Sequence, residues 1–120
     1  MALDTRRARG SIGERIAVEH LTARGYEIVA RNYRTRFGEL DLIAANETAL
    51  VFCEVKTRAS TRFGTPVEAV TATKQRRLRT LAARWLAEHD ARRRTLRFDV
   101  ASVTRAADGE LVVEVLEGAF

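Results

Sequence analysis

The chain has 120 residues, which suits one domain and leaves little room for two. Hydrophobic residues make up 46% of it, which excludes wholesale disorder. A single cysteine, Cys53, excludes an internal disulfide and a thiolate-rich metal site. A net charge of +5 and a pI near 10.3 favour a polyanionic partner, nucleic acid above all. No apolar run approaches the roughly 18 residues needed to span a bilayer. Residues 1–7 carry arginines with no apolar segment behind them, so the expected location is the cytoplasm and no membrane partner is expected. Nineteen of the 21 basic residues are arginine; only Lys56 and Lys74 are lysine. In that background a lysine marks a position whose chemistry arginine does not supply.

The first helix is expected over 11–24, with Ser11 as its cap, Glu14 three residues on and Gly25 as its stop. Strands are predicted over 26–33, 37–45 and 50–57, with a turn near Asn46 between the last two. The near-continuous apolar run Ala49-Leu50-Val51-Phe52-Cys53 is that of a central strand. Thr65-Pro66-Val67-Glu68 has the makings of a helix start, and a helical pattern runs from it to Asp90 with a break near 71–73. Strands at 96–103 and 111–116, with the turn signal Ala107-Asp108-Gly109 between them, complete the chain. The order predicts an α/β fold: a central mixed five-stranded sheet flanked by helices. Its first three strands form a meander, and the second helix crosses over to a fourth strand parallel to the third.

Alternate residues of a strand share a face, so Glu39 pairs with Asp41 on the second strand and Glu54 with Lys56 on the third. These are charges in segments that otherwise read as buried, a costly arrangement unless they are paired or bind metal. On neighbouring strands Asp41, Glu54 and Lys56 converge. Two carboxylates suit Mg²⁺, and a lysine beside them suits activation of a water against a phosphodiester. The competing reading is a structural Glu54–Lys56 ion pair with Asp41 in a turn. Glu14 lies with Ala17, Val18 and Leu21 on an apolar helix face and so points inward; alternatively it is the partner of Ser11 in a capping box. Lys74 is the one charge on the stripe Val67, Val70, Leu78, Leu81, Trp85, placed either to reach the site or a phosphate or to snorkel from the stripe's end. Arg34, Arg36, Arg58 and Arg62 flank the two motif strands as candidate phosphate contacts. Cys53 faces away from Glu54 as a small buried hydrophobe, and His20 and His89 form no metal or nucleophile pattern.

Gly38-Glu39-Leu40-Asp41-Leu42-Ile43-Ala44 followed by Val51-Phe52-Cys53-Glu54-Val55-Lys56-Thr57-Arg58 resembles the PD-(D/E)XK nuclease signature, with Leu40 where the signature's name has proline. The gap from Asp41 to Glu54 is similar to that of archaeal Holliday-junction resolvases. Gly13-Glu14, Arg31-Asn32-Tyr33-Arg34, Phe63-Gly64, Lys74 and Arg97-Phe98-Asp99-Val100 extend the likeness to the bacterial YraN family, uncharacterised protein family 0102, over nearly the whole chain. The resemblance implies a single restriction-endonuclease-like domain that hydrolyses phosphodiester bonds in DNA, branched or structured DNA included, with Mg²⁺ or Mn²⁺. It implies Asp41, Glu54 and Glu14 as metal ligands, the Val55 carbonyl as a further one, and Lys56 as the catalytic lysine. The resolvases work as dimers, so a homodimer is expected. The alternatives are a non-catalytic nucleic-acid-binding module and a protein-interaction adaptor on the same fold.

Overall fold

The computed structural model describes residues 5–58, 70–89, 94–105 and 107–120, and side chains from residue 12 onward within them, Arg58 excepted. The elements are α1 (Thr5–Ala23), β1 (Glu27–Thr35), β2 (Gly38–Ala45), β3 (Ala49–Arg58), α2 (Ala72–Glu88), β4 (Thr95–Arg105) and β5 (Leu111–Leu116). They form one sheet of order β1-β2-β3-β4-β5. The β1–β2, β2–β3 and β4–β5 pairs are antiparallel, while β3 and β4 run parallel across the α2 crossover, from Ala49↔Thr95 to Arg58↔Thr104. This is the expected α/β architecture.

Local chemistry sets the element ends. Gly25 takes φ +87°, and the N–H groups of Gly25 and Tyr26 donate to the carbonyls of Thr22 and Leu21, which closes α1 with a Schellman turn. Between β2 and β3, Asn46 Oδ1 accepts from the N–H groups of Thr48 and Ala49. Thr71 caps α2 by accepting from Lys74 N–H at 3.2 Å, so the break expected near 71–73 is a true helix start. Residues 65–68, where the sequence predicts the start, lie outside the described residues. The cap assigned to Ser11 is overturned: α1 begins at Thr5 and Ser11 lies inside it. Its first residues are mostly arginine and alanine, good helix formers that propagate the helix past the local capping signal.

Two hydrophobic clusters cover the two faces of the sheet. Leu78, Leu81, Ala82 and Trp85 of α2 pack with Leu40, Ile43, Leu50, Phe52 and Val100. Ala17 and Leu21 of α1 pack with Leu42, Ala44, Val51, Cys53 and Ala101. Trp85 meets Phe52 edge-on, with centroids 6.1 Å apart, as a packing residue. Among the described residues no helix is long and apolar enough to cross a membrane.

Candidate active site

The site forms where the sheet comes apart. The β2–β3 ladder runs from Ala45↔Leu50 to Leu42↔Cys53 and stops. One step further the register would set Asp41 opposite Glu54. There the Val55 N–H donates to the Asp41 side chain, Oδ2, at 2.8 Å, in place of a strand carbonyl. Alternation also slips at this point: Leu40 and Ile43 belong to the α2-side core, Leu42 and Ala44 to the α1-side core. On the other side of β2, a register shift in β1 between Ile28 and Ala30 sets Asn32 opposite Asp41, and Asn32 takes φ 52°. That left-handed conformation is rare for a residue with a side chain and least costly for Asn.

Two elements deliver three carboxylates to this opening. Oxygens of Glu14 from α1 and of Glu39 and Asp41 from β2 lie within 4.8 Å of one another. Asn32 sits between two of them. Turned so that its nitrogen faces the carboxylates, its amide donates to Glu39 Oε1 at 2.6 Å and to Glu14 Oε1 at 2.9 Å. Glu39 also pairs with Arg34 at 3.4 Å. Glu14 gets close because its neighbour is Gly13. A Cβ there would come 2.7 Å from Thr57 Oγ1 and 3.2 Å from Val55 Cγ1, so only glycine lets α1 lie this near β3. Since α1 starts at Thr5, Glu14 stands well inside the helix, and the capping-box reading of Glu14 falls with that of Ser11.

Glu54 is buried on the α2 side of β3 and is held by two lysines. Lys74 Nζ lies 2.6 Å from Glu54 Oε1, and Lys56 Nζ lies 4.0 Å from the same oxygen. Burial raises the Asp41 carboxyl to about 7, aided by the charge of Glu54 and a hydrogen bond with it and by the charge of Glu14; the Val55 N–H opposes the rise. Burial lowers Lys56, and the adjacent Lys74 ammonium lowers it further, against the pull of Glu54 and Asp41. For Lys74, burial is the largest influence and acts downward, but hydrogen bonds with Glu54 and Lys56 and the charges of Glu54 and Asp41 together outweigh it, and the net shift is upward. Asp41 is thus the hinge of two groups, an acidic trio on one side and Glu54 with its lysines on the other.

The structure therefore brings together Glu14, Asp41, Glu54, Lys56 and Lys74 of the expected residues. The Val55 N–H is engaged with Asp41. Arg34 and Arg36 are exposed beside the site strands, the Arg58 side chain is not described, and Arg62 lies outside the described residues. Glu39, read from the sequence as a same-face neighbour of Asp41 and either an outer ligand or an ion-pair partner of an arginine, is a member of the acidic trio. Asn32 was noticed only as part of a family motif; its placement depends on the β1 register shift, which no residue periodicity signals. An open cleft of about 460 Å³ beside Glu14 is lined by Ile12, Arg15 and Arg31, two further cations at the carboxylates. Cys53 is buried in the α1-side core, and burial pushes its thiol pKa up, as suits an inert hydrophobe. His20 contacts Arg24, and His89 stacks on Trp85, both away from the site.

Fold and site together define a class: a single-sheet α/β domain whose central strands part around clustered carboxylates backed by two lysines. The chain belongs to uncharacterised protein family UPF0102, whose profile matches residues 13–103. A UPF0102 protein of Frankia alni is 52% identical over 120 residues, covering both chains completely. Another, of Beutenbergia cavernae, is 56% identical over 111 residues, 92% of this chain and 94% of the relative. A third, of Symbiobacterium thermophilum, is 52% identical over 111 residues with the same coverage.

Proposed function

We propose that this domain is a restriction-endonuclease-like, Mg²⁺- or Mn²⁺-dependent nuclease that hydrolyses phosphodiester bonds in DNA, branched or structured DNA included. The observation that carries this reading is the position of Asp41, shared between the Glu14–Glu39–Asp41 trio and the Glu54–Lys56–Lys74 group at one break in the sheet. The donor set fits the cation: hard carboxylate oxygens from separate elements, close enough to converge, beside an open cleft with room for waters. Glu14, Glu39 and Asp41 would hold it, with Glu54 adjoining. When bound, the cation neutralises phosphodiester charge and acts as a Lewis acid.

The remaining chemistry falls to the chain's own groups. Lys56 Nζ, with its pKa depressed, is suited to take a proton from the attacking water. Lys74 occupies the Glu54 oxygen beside Lys56. Arg15 and Arg31 line the cleft where a phosphate would approach. A cytoplasmic location, from the lack of a long apolar run, and a homodimer, from the likeness to the resolvases, complete the reading.

The test is cleavage of labelled duplex, single strand, flap, four-way junction and RNA with Mg²⁺ or Mn²⁺, by wild type and by Lys56→Ala. Wild type should cut at least one DNA substrate, and Lys56→Ala should cut it about 10² to 10⁴ times more slowly with its fold intact. Cutting that survives Lys56→Ala and Asp41→Ala would remove the reading. Tight binding without cutting under any condition would replace it with a non-catalytic nucleic-acid-binding module.

A further inference from the structure

Most arginines of α2 could be dismissed as a solvated helix face, but the structure divides them. Arg79 is committed to the fold, its guanidinium 5.4 Å from the Phe98 ring centre and 5.6 Å from that of Phe120. Arg77 and Arg84 are exposed, and among the described residues neither has an acidic partner. With Lys74 they fall at i, i+3 and i+10 on one side of the helix. The row runs about 15 Å outward from Glu54, on the order of four nucleotide steps of one strand.

The β1–β2 hairpin is docked onto this row. Gly38 takes φ +137°, and a Cβ there would meet Arg77 Cδ at 2.9 Å and Leu81 Cδ1 at 3.6 Å, so the hairpin tip lies directly on the Arg77 stem. Next to it Phe37, 40% exposed, receives two guanidiniums: Arg36 from its own hairpin at 4.8 Å and Arg84 from α2 at 4.7 Å from the ring centre. The tip of a hairpin and the far turns of a helix thus hold two like charges against one aromatic ring. Neither has a carboxylate to neutralise it among the described residues. Stacking a guanidinium on a ring fixes its plane and leaves its edge N–H donors free, the presentation that suits a phosphate oxygen.

We infer that the β1–β2 hairpin tip and the outer side of α2 form a phosphate track for a nucleic-acid backbone, with Arg36 and Arg84, stacked on Phe37, as its distal contacts. The inference rests on the nucleic-acid reading above and adds a surface to it beyond the carboxylates. The track positions a strand without reading its bases, because guanidiniums held against a ring by their faces offer their edge donors to phosphates.

The test is binding of a labelled 20-base-pair DNA duplex with divalent metal chelated, followed over a range of salt concentrations. Wild type is compared with the double variant Arg36→Gln/Arg84→Gln and with a charge-matched control, Arg24→Gln/Arg105→Gln, whose arginines lie elsewhere. Losing two phosphate contacts should flatten the slope of log Kobs against log salt by about 1.8, since each contact contributes about 0.9. The control should flatten it by less than about half a unit.

Equal flattening by the control would mean that only overall charge matters and would overturn the track. So would an unchanged slope in the track variant; wild-type binding and cutting would then leave the nuclease reading standing. A wild type that neither binds the duplex nor cuts any substrate would remove both.

Discussion

Two aspartates of one sheet, Asp99 fully buried and Asp41 half-buried, have opposite surroundings. Asp99 on β4 is fully buried and fully partnered. Arg97 donates Nε to Oδ1 at 2.8 Å and a second nitrogen to Oδ2 at 2.9 Å, and the Gly118 N–H donates to Oδ1 at 3.0 Å. The arginine is raised above its ordinary pKa by this bond, and it also stands over the Tyr26 ring. Asp41 on β2 has one backbone donor, from Val55, and faces Glu54 and Glu14. A carboxylate placed for stability gathers donors; one left among other carboxylates is destabilising in the free chain and has the arrangement a cation would complete. The comparison teaches that burial alone does not mark a functional acid. What marks it is burial without compensating charge.

Substitution at the two positions should therefore act in opposite directions. The largest effect is expected for Asp99→Ala, which strands the Arg97 guanidinium and releases the anchor at Gly118. Breaking one partner of a buried pair costs about 3–5 kcal/mol, so the denaturation midpoint should fall sharply. A variant with a midpoint within about 0.5 kcal/mol of wild type would show that water replaces the lost carboxylate and that the clamp adds little.

Asp41→Asn should do the reverse in metal-free protein. Its folded pKa of about 7 stands above the unfolded value of 3.8. Between those values the folded chain holds a proton that the unfolded chain has lost, so metal-free stability falls as pH rises from about 4 to about 7. Below that window the carboxyl is protonated in both states and there is no penalty; above it the penalty is complete, roughly 3–4 kcal/mol shared among the coupled acids. Asn keeps an oxygen for the Val55 N–H and removes the charge. The variant should thus be more stable than wild type at pH 8 by about 1–3 kcal/mol and indistinguishable at pH 4. Added Mg²⁺ or Mn²⁺ should stabilise wild type more at pH 8 than at pH 6, because proton and cation compete, and should have little effect on the variant. Thermal melts at the two pH values, with and without metal, read all of this; a variant less stable than wild type at pH 8 would mean that Asp41 is a structural acid like Asp99.

The sequence made much of this legible, for identifiable reasons. Period-2 alternation and turn chemistry gave five strands in the right order, and the apolar run at 49–53 marked the central strand that the parallel pairing with β4 requires. Lys74 stood out as a charge on an apolar stripe and does reach Glu54. Asp41, Glu54 and Lys56 were legible because charge in a buried strand needs an explanation. Glu39 was harder. Its membership of the trio depends on how near α1 comes to β3, which is fixed by the missing side chain of Gly13. Of the track, Arg36 was legible as a phosphate contact and the α2 arginines as an extension of a basic face, but not their meeting: Arg36 and Arg84 lie 48 positions apart, and only the docking of Gly38 against Arg77 brings both to Phe37.

Asn32 gives the smallest and most discriminating test of why the acids sit as they do. It contributes two separable things, a left-handed backbone at φ 52° and an amide aimed at Glu14 and Glu39. Asn32→Gly keeps the first and removes the second, whereas Asn32→Ala removes the amide and opposes the backbone. Alanine should therefore be less stable than glycine here by about 1 kcal/mol, the usual cost of forcing a Cβ into that region. If the amide positions the carboxylates, both variants should bind Mn²⁺ more weakly by about the same factor, roughly tenfold, the lower end of what losing an orienting group beyond the ligands costs. Calorimetric titration beside denaturation separates the two. Metal affinity that falls in the alanine variant but stays at the wild-type value in glycine would assign Asn32 to the backbone alone and leave the acids held by Gly13 and the break in the sheet. An equal loss in both makes the amide the element that holds mutually repelling carboxylates in place before a cation arrives.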